Sequence, residues 1–409
     1  MSPAPAAAHR LSWPLISTAA LILLITMGAR QTIGLFIAPL DAATGLGVVT
    51  ISLAVAVSQF TWGLAQPIFG ALADRFGPGR VIAFGGLMLA AGTMATPFVR
   101  SEWALIVVLG VVTAFGAGAG SFSILIGSVL SRLPGERRTQ AAGIINAGGS
   151  LGQFVFAPLV QATIHGFGWV SAMVGIGAVT LATLPLAWPL RRRDAAPKAA
   201  AAMVAPPVSL AQQLREAAAD RSYWWLHLGF FTCGFHVAFL ITHLPGEVRL
   251  CGLPATISAN SLAIIGLANV AGSLGVGWLG TRFRLKHLLF WVYLTRTASI
   301  LVFLMMPKTA LTFYIFALAL GLSWLATVPP TAGLVAKLFD GRYMATLFGL
   351  TLLSHQIGAF YGAWLGGIAV ARFGDYDWMW YADAALATFA ALINLPIREA
   401  PVIRAPATA

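Results

Sequence analysis

The sequence predicts an all-α membrane protein, with twelve transmembrane helices in two pseudo-symmetric six-helix bundles. Three observations carry that reading. The mean hydropathy is +0.83, with 58% hydrophobic and only 9% charged residues. A soluble domain of that composition would expose large apolar patches, whereas lipid can cover them if backbone polar groups are satisfied inside helices. The apolar runs are about 20 residues long, the length a helix needs to cross roughly 30 Å of hydrocarbon. Finally, the chain repeats itself: Gly28, Arg30 and Pro39 recur 206 residues later as Gly234, His236 and Pro245, and Gly143 and Gly152 recur as Gly349 and Gly358. Gly70, Arg75 and Phe76 recur at an offset of 207 as Gly277, Arg282 and Phe283. In a membrane chain such parallel repeats point to a site where two halves meet.

The spans read in order as 13–38, 50–72, 81–99, 103–130, 141–163, 168–190, 223–244, 256–280, 287–306, 310–336, 343–370 and 378–397. The first is too long for a signal peptide and runs on into "GARQTIGLF" without a small-residue cleavage site. Residues 1–190 form the first bundle and 223–409 the second. Between them, 191–222 is an Ala- and Pro-rich linker that ends in "SLAQQLREAAADRS", a short surface helix with Ser209 as its cap. Cys233 and Cys251 lie too far apart along a helix to bridge.

The net charge of +12 is topogenic. With both termini inside, nineteen of the 25 Lys and Arg fall in inside segments, four in outside loops, and two, Arg30 and Arg296, within spans. That is the positive-inside bias. It sets both termini on the cytoplasmic side, with a cell inner membrane as the expected location, and removes the case for nucleic acid as a partner. The Gly-rich "GAGAGSFS" lacks the Lys-Ser/Thr of a phosphate-binding loop, and no cofactor or metal-ligand spacing is present.

Two motifs bring a family into view. The loop after span 2, "GALADRFGPGR", holds Gly70, Asp74, Arg75, Gly77 and Arg80. It resembles the signature of the major facilitator superfamily, and it reads as an inner-gate latch that breaks when the gate opens. "RRTQAAGIINAGGSLG" at the start of span 5 resembles monocarboxylate transporters and the bacterial oxalate/formate antiporter group, and its small residues suit close helix packing. The resemblance implies a major facilitator fold and alternating-access transport. Arg30 matches the span 1 lysine of monocarboxylate transporters. The acidic-Gly-Gly-Trp stretch before span 1 is replaced by "HRLSWP", the span 8 arginine by a stretch holding Ser273, and the antiporter's span 11 lysine falls near His355 and Gln356. Substrate identity therefore does not carry over.

Polar residues in apolar spans tend to face the bundle interior, and ionisable ones face cavities or partners. Arg30 has no mid-membrane carboxylate in the first six spans to pair with, so a substrate carboxylate would satisfy its fork. Gln31, Asn146, Gln153, His236, Trp324, His355, Gln356 and Tyr361 complete the predicted substrate site. Gln59 is a further polar candidate, and Trp62, Phe122, Phe154 and Phe235 are candidate walls. Arg296 and Asp383 read as structural, Asp383 lying near the outer end of span 12. With no mid-span carboxylate, any coupled proton falls to a histidine, and His236, His243 and His355 are the candidates. The repeat favours His236, placing it opposite Arg30 across the interface of the halves.

The expectation is a monomeric, non-enzymatic carrier of a small organic anion, a mono- or dicarboxylate, coupled to a proton, to a counter-anion or to neither. Efflux of a neutral amphipathic compound is the alternative. An integral-membrane transferase lacks a carboxylate–His pair at close sequence spacing, and the duplicated halves speak against it.

Overall fold

The computed structural model describes residues 12–130, 135–191, 209–280, 282–339 and 344–400; those described residues contain helices and no strand. Ten helical segments are long and apolar enough to cross a membrane. Met344–Phe373 and Asp377–Asn394, of 30 and 18 residues, complete the twelve. Spans 2, 3, 5, 7, 8 and 9 are Val48–Phe76, Pro78–Ala95, Gly135–Phe167, Arg221–Leu250, Ala255–Leu279 and Leu285–Met305, and spans 11 and 12 are the two just named.

The other spans are interrupted. Span 1 is an α-helix Ser12–Gln31, a 3-10 turn Ile33–Phe36 and a second α-helix Ile37–Thr44. Span 4 runs from Glu102 to Leu130 with a π-helical stretch Ile106–Thr113 and a break at Gly120 and Ser121. Span 6 starts as Trp169–Thr180 and ends in short turns to Arg191. Span 10 is Ala310–Ser323 and Val328–Leu338, broken at Trp324–Thr327. Pro329 and Pro330 occupy the first turn after that break, where a missing N–H costs nothing. Ahead of span 7, Ser209 Oγ accepts from Gln212 N at 3.2 Å and starts the short helix Leu210–Ala219.

The sequence repeat has a packing meaning. In the first half, spans 1 and 5 meet through Gly28 and Gly152: a Cβ at Gly152 would strike the Leu24 carbonyl, and one at Gly28 would lie 2.6 Å from the Phe156 ring. In the second half, spans 7 and 11 meet through Gly234 and Gly358. A Cβ there would strike the carbonyls of His355 and Phe231. Repeat-related glycines thus seat the same helix pair in each bundle, where backbones approach too closely for any side chain.

The halves meet toward the end predicted to be outer. Leu35 and Phe36 of span 1 share an apolar cluster with Phe239, Leu240, Ile241 and Leu244 of span 7. A Cβ at Gly34 would strike the Ile241 carbonyl, and Gly367 of span 11 lies against Ser52 of span 2. Deeper, Gly63 lies under the Gln356 side chain and Gly266 of span 8 against Ser150, Gln153 and Phe154 of span 5. Toward the opposite end, Gly70, Gly275, Gly277 and Gly349 have nothing among the described residues within 4 Å of a built Cβ, although Gly143 still has Leu274 at 3.9 Å. Among the described residues, the closest contacts between the halves lie toward the predicted outside.

Candidate functional site

Arg30 stands in the last turn of the first helix of span 1, just before the chain tightens at Thr32. The Thr32 hydroxyl bonds back to the Gly28 and Ala29 carbonyls at 3.2 and 3.1 Å, which helps end the helix there. A cation in that turn is favoured by the helix dipole. Its guanidinium lies 4.0 Å from the centroid of the Trp62 ring and donates to Gln59 Oε1. Arg30 Nε is buried with no hydrogen-bond partner, and among the described residues no carboxylate lies within salt-bridge reach.

Arg30 lines a cavity of about 40 Å³ walled by spans 1, 2, 3, 4 and 6, including Ser58, Gln59, Thr93, Thr96 and Thr113. That volume holds about three waters. The three threonine hydroxyls donate to carbonyls of their own helices, leaving Arg30 as the strongest donor facing the space. The cavity lies inside the first bundle. The sequence pointed instead to the interface of the halves, and it missed Ser58 and the threonines, whose only signal was a hydroxyl in an apolar span.

The other predicted residues divide among three places. Gln31, Gln153 and Gln356 are buried; Gln153 Nε2 and Gln356 Oε1 have no partner. Asn146 is half-buried, Tyr361 is 42% exposed, and Phe154 is 37% exposed, so none of these three touches Arg30's cavity. Phe122 is partly buried in the first bundle's core, and Phe235 packs under Gly362. His243 Nε2 donates to the Ala363 carbonyl at 2.7 Å and its Nδ1 faces Tyr376 Oη at 3.4 Å. It joins spans 7 and 11 as a packing residue. The His355 ring lies 4.8 Å from that of Phe230, tilted at 56°.

His236 departs most from its predicted place. It points into the second bundle, away from Arg30, and is 1% exposed. Its Nδ1 lies 2.5 Å from Asp383 Oδ2 of span 12, and the Asp383 side chain is fully buried. The sequence offered no carboxylate–His pair and set Asp383 near the outer end of its span; the fold joins two residues 147 apart. Beside them the Trp324 ring lies 5.7 Å from His236. Arg296 of span 9 donates through one Nη to the carbonyls of Ser323 and Trp324 at 2.7 and 3.0 Å. The broken span 10, rather than the neighbouring hydroxyls on span 9, is its partner.

In the motif after span 2, Gly77 has φ +88, which lets a one-residue link turn span 2 into span 3, and Pro78 starts the new helix. Arg80 is exposed and Gly70 has open space around it. The side chains of Asp74 and Arg75, and of Arg137 and Arg138, lie outside the described residues.

The sequence profile of the Major Facilitator Superfamily matches residues 19–363, most of the chain. The chain belongs to that superfamily. It is a multi-pass membrane transporter and not an enzyme. Monocarboxylate transporter 13 of Rattus norvegicus is 24% identical over 397 residues, covering 94% of this chain and 89% of the relative. An oxalate:formate antiporter of Oxalobacter formigenes is 22% identical over 365 residues, covering 88% and 86%. An MFS-type transporter of Bacillus subtilis is 23% identical over 356 residues, 83% of each chain. Among solved structures, a D-xylose-proton symporter superposes with a TM-score of 0.74 at 14% identity, covering 95% of this chain and 98% of the other. An inward-facing bacterial homologue of the human lysosomal transporter Spinster gives 0.73 at 16% identity, with 95% of each covered. The superfamily, the twelve-helix fold and the kinship with monocarboxylate and oxalate/formate carriers agree with the resemblance read from the two motifs.

Proposed function

We propose that this transporter carries a small organic anion, a mono- or dicarboxylate, by alternating access, with Arg30 as the anchor of its carboxylate. The observation that supports this most is an unneutralised guanidinium lining a cavity inside apolar helices. Burying a guanidinium costs several kcal/mol unless it is paired or meets water. Trp62 and Gln59 offset part of that cost and hold the group in one orientation, while Nε stays free for a ligand. A carboxylate accepts two parallel N–H bonds from such a fork. The named substrates of the oxalate:formate antiporter and the monocarboxylate transporters are anions of this class.

The charge bias supports cytoplasmic termini and the name of the oxalate:formate antiporter supports anion exchange; we read the carrier further as an inner-membrane monomer that exchanges anions or co-transports a proton. Gly70, Asp74, Arg75, Gly77 and Arg80 serve as the inner-gate loop, and Gln31, Asn146, Gln153, Gln356 and Tyr361 line the route between the halves once they part.

Thermal unfolding of the purified transporter with formate, oxalate and lactate tests the anchor. A ligand at a hundred times its Kd adds about 2.7 kcal/mol to the folded state. At least one of the three should raise the Tm of the parent and leave Arg30→Ala unmoved. An equal rise in Arg30→Ala would remove Arg30 from the site, and a rise only with neutral amphipathic compounds would favour efflux.

A further inference from the structure

We propose that the His236–Asp383 pair is a proton-binding site, and that its charge is transmitted through the broken span 10 to the contact between the two halves. This deepens the transport reading, but it stands on a different bundle and on residues the anion cavity does not use.

The pair is built to take a proton. His236 Nδ1 and Asp383 Oδ2 lie 2.5 Å apart, and with Asp383 ionised the bond between them requires the hydrogen on Nδ1. His236 Nε2 and Asp383 Oδ1 are both buried and have no partner. A proton from water therefore has two open positions and displaces no existing hydrogen bond. No other bond forms or breaks. The pair passes from one net negative charge to none.

The groups that face it fix what the change does. Arg296 on span 9 reaches the pair through Trp324, whose carbonyl it holds at 3.0 Å and whose ring lies 5.7 Å from that of His236. Cys233 on span 7 lies 3.3 Å from Thr327 Oγ1 and 3.9 Å from the Trp324 carbonyl that Arg296 also holds, and His355 of span 11 presses its backbone on Gly234. Tyr293 of span 9 stands beside Arg296 and donates to the Gly229 carbonyl at 2.6 Å. Asp383 is the one carboxylate among these groups. While the pair is negative it balances Arg296; once protonated, it leaves Arg296 as the only net charge in a buried cluster.

Arg296 is where charge becomes mechanics. Its two bonds to Ser323 and Trp324 satisfy carbonyls that the break in span 10 leaves open, while its Nε and other Nη have no partner. The next residue, Leu325, donates its backbone N–H to Asn269 Oδ1 of span 8 at 3.0 Å. Asn269 Nδ2 then donates to Ser150 Oγ of span 5 at 2.9 Å. Ser150 belongs to the other half, and its carbonyl lies 2.8 Å from a Cβ built on Gly266. A chain of named contacts thus runs from the titratable pair to the surface on which the halves move. Protonation leaves the charge of Arg296 unbalanced, tightens its hold on the break, and biases how span 8 meets span 5.

The test needs no substrate. In the full chain with Cys251→Ser, spin labels at Gly70→Cys and Gly349→Cys report the opening of the predicted inner end, because both positions have open space around them. Cys233 is fully buried and stays unlabelled. Distances are measured by pulsed electron resonance in nanodiscs, in carboxylate-free buffer, at about pH 5 and about pH 8. The parent should change the ratio of its two distance populations by at least about threefold. Asp383→Asn and His236→Gln should each abolish the change, Asn269→Ala should reduce it, and Arg30→Ala should keep it, whatever becomes of anion binding. Glutamine at 236 still donates to Asp383, so His236→Gln decides alone if Asp383→Asn fails to fold. A parent that does not respond to pH, or a response that survives in His236→Gln, overturns the proposal.

Discussion

Arg30 and His236 occupy the same place in the two halves, and their surroundings are opposite. Each lies on the first helix of its bundle and points into that bundle. Around Arg30 there is a ring, an amide and a cavity, with no described carboxylate in reach. Around His236 the space is filled by Asp383, Trp324 and the Arg296-held break of span 10. The repeat preserved backbone packing and released side-chain chemistry. Glycines at the helix contacts cannot change without moving a backbone, so Gly28 and Gly152 match Gly234 and Gly358. A side chain pointing into the bundle is bound only by the requirement that its polar atoms be satisfied, which a ligand can meet in one half and a carboxylate in the other.

The largest effect that would break this comparison is expected at Arg296. Arg296→Met takes the guanidinium from the carbonyls of Ser323 and Trp324, leaving only the long Cys233 Sγ contact on the second, and removes the cation of the buried cluster. A loss of about 3 kcal/mol or more is expected, read as a large fall in Tm or in the yield of monodisperse protein. A variant as stable as the parent would mean that the second bundle does not depend on its polar cluster. Next come the shared glycines. Gly152→Ala and Gly358→Ala should each cost about 1–3 kcal/mol in thermal unfolding, because the new methyl meets a backbone carbonyl of the partner helix. Gly70→Ala and Gly349→Ala should stay within about 0.5 kcal/mol of the parent. Unequal costs at 152 and 358 would show that the halves are not packed alike. Of the positions expected to matter, His243 has the smallest effect. Replacement by Phe removes the bond to the Ala363 carbonyl and the longer one to Tyr376 Oη, worth about 1 kcal/mol, and should leave any pH response intact. A lost pH response there would move the titratable site away from His236.

Much of this was legible before the fold was known. Hydropathy marked the spans, the offset of 206 marked the halves, and a mid-membrane arginine without a carboxylate singled out Arg30, although the sequence set it at the interface of the halves and not inside the first bundle. The helix breaks were harder. That in span 10 had a signal in Pro329 and Pro330, since a residue before proline is pushed out of helical conformation. The turn at Thr32 had none beyond Gly34, whose lack of a side chain is explained by span 7 pressing on it. The His236–Asp383 pair was not legible because its residues lie on spans 7 and 12, and nothing in either span names its neighbour. An aspartate six residues inside an apolar helix did announce that some partner must exist.

The central claim is that the unpartnered charge at Arg30 is completed by a substrate carboxylate. Uptake of radiolabelled oxalate, formate and lactate into proteoliposomes tests it most directly, with parent, Arg30→Lys and Arg30→Ala compared at matched protein incorporation. Losing a buried charge partner costs about 2–5 kcal/mol, so Arg30→Ala should lower uptake of the transported anion about thirty-fold or more. Arg30→Lys keeps the charge and loses the fork, so it should fall between the two. Uptake by Arg30→Ala at the parent's rate and half-saturation would contradict the claim.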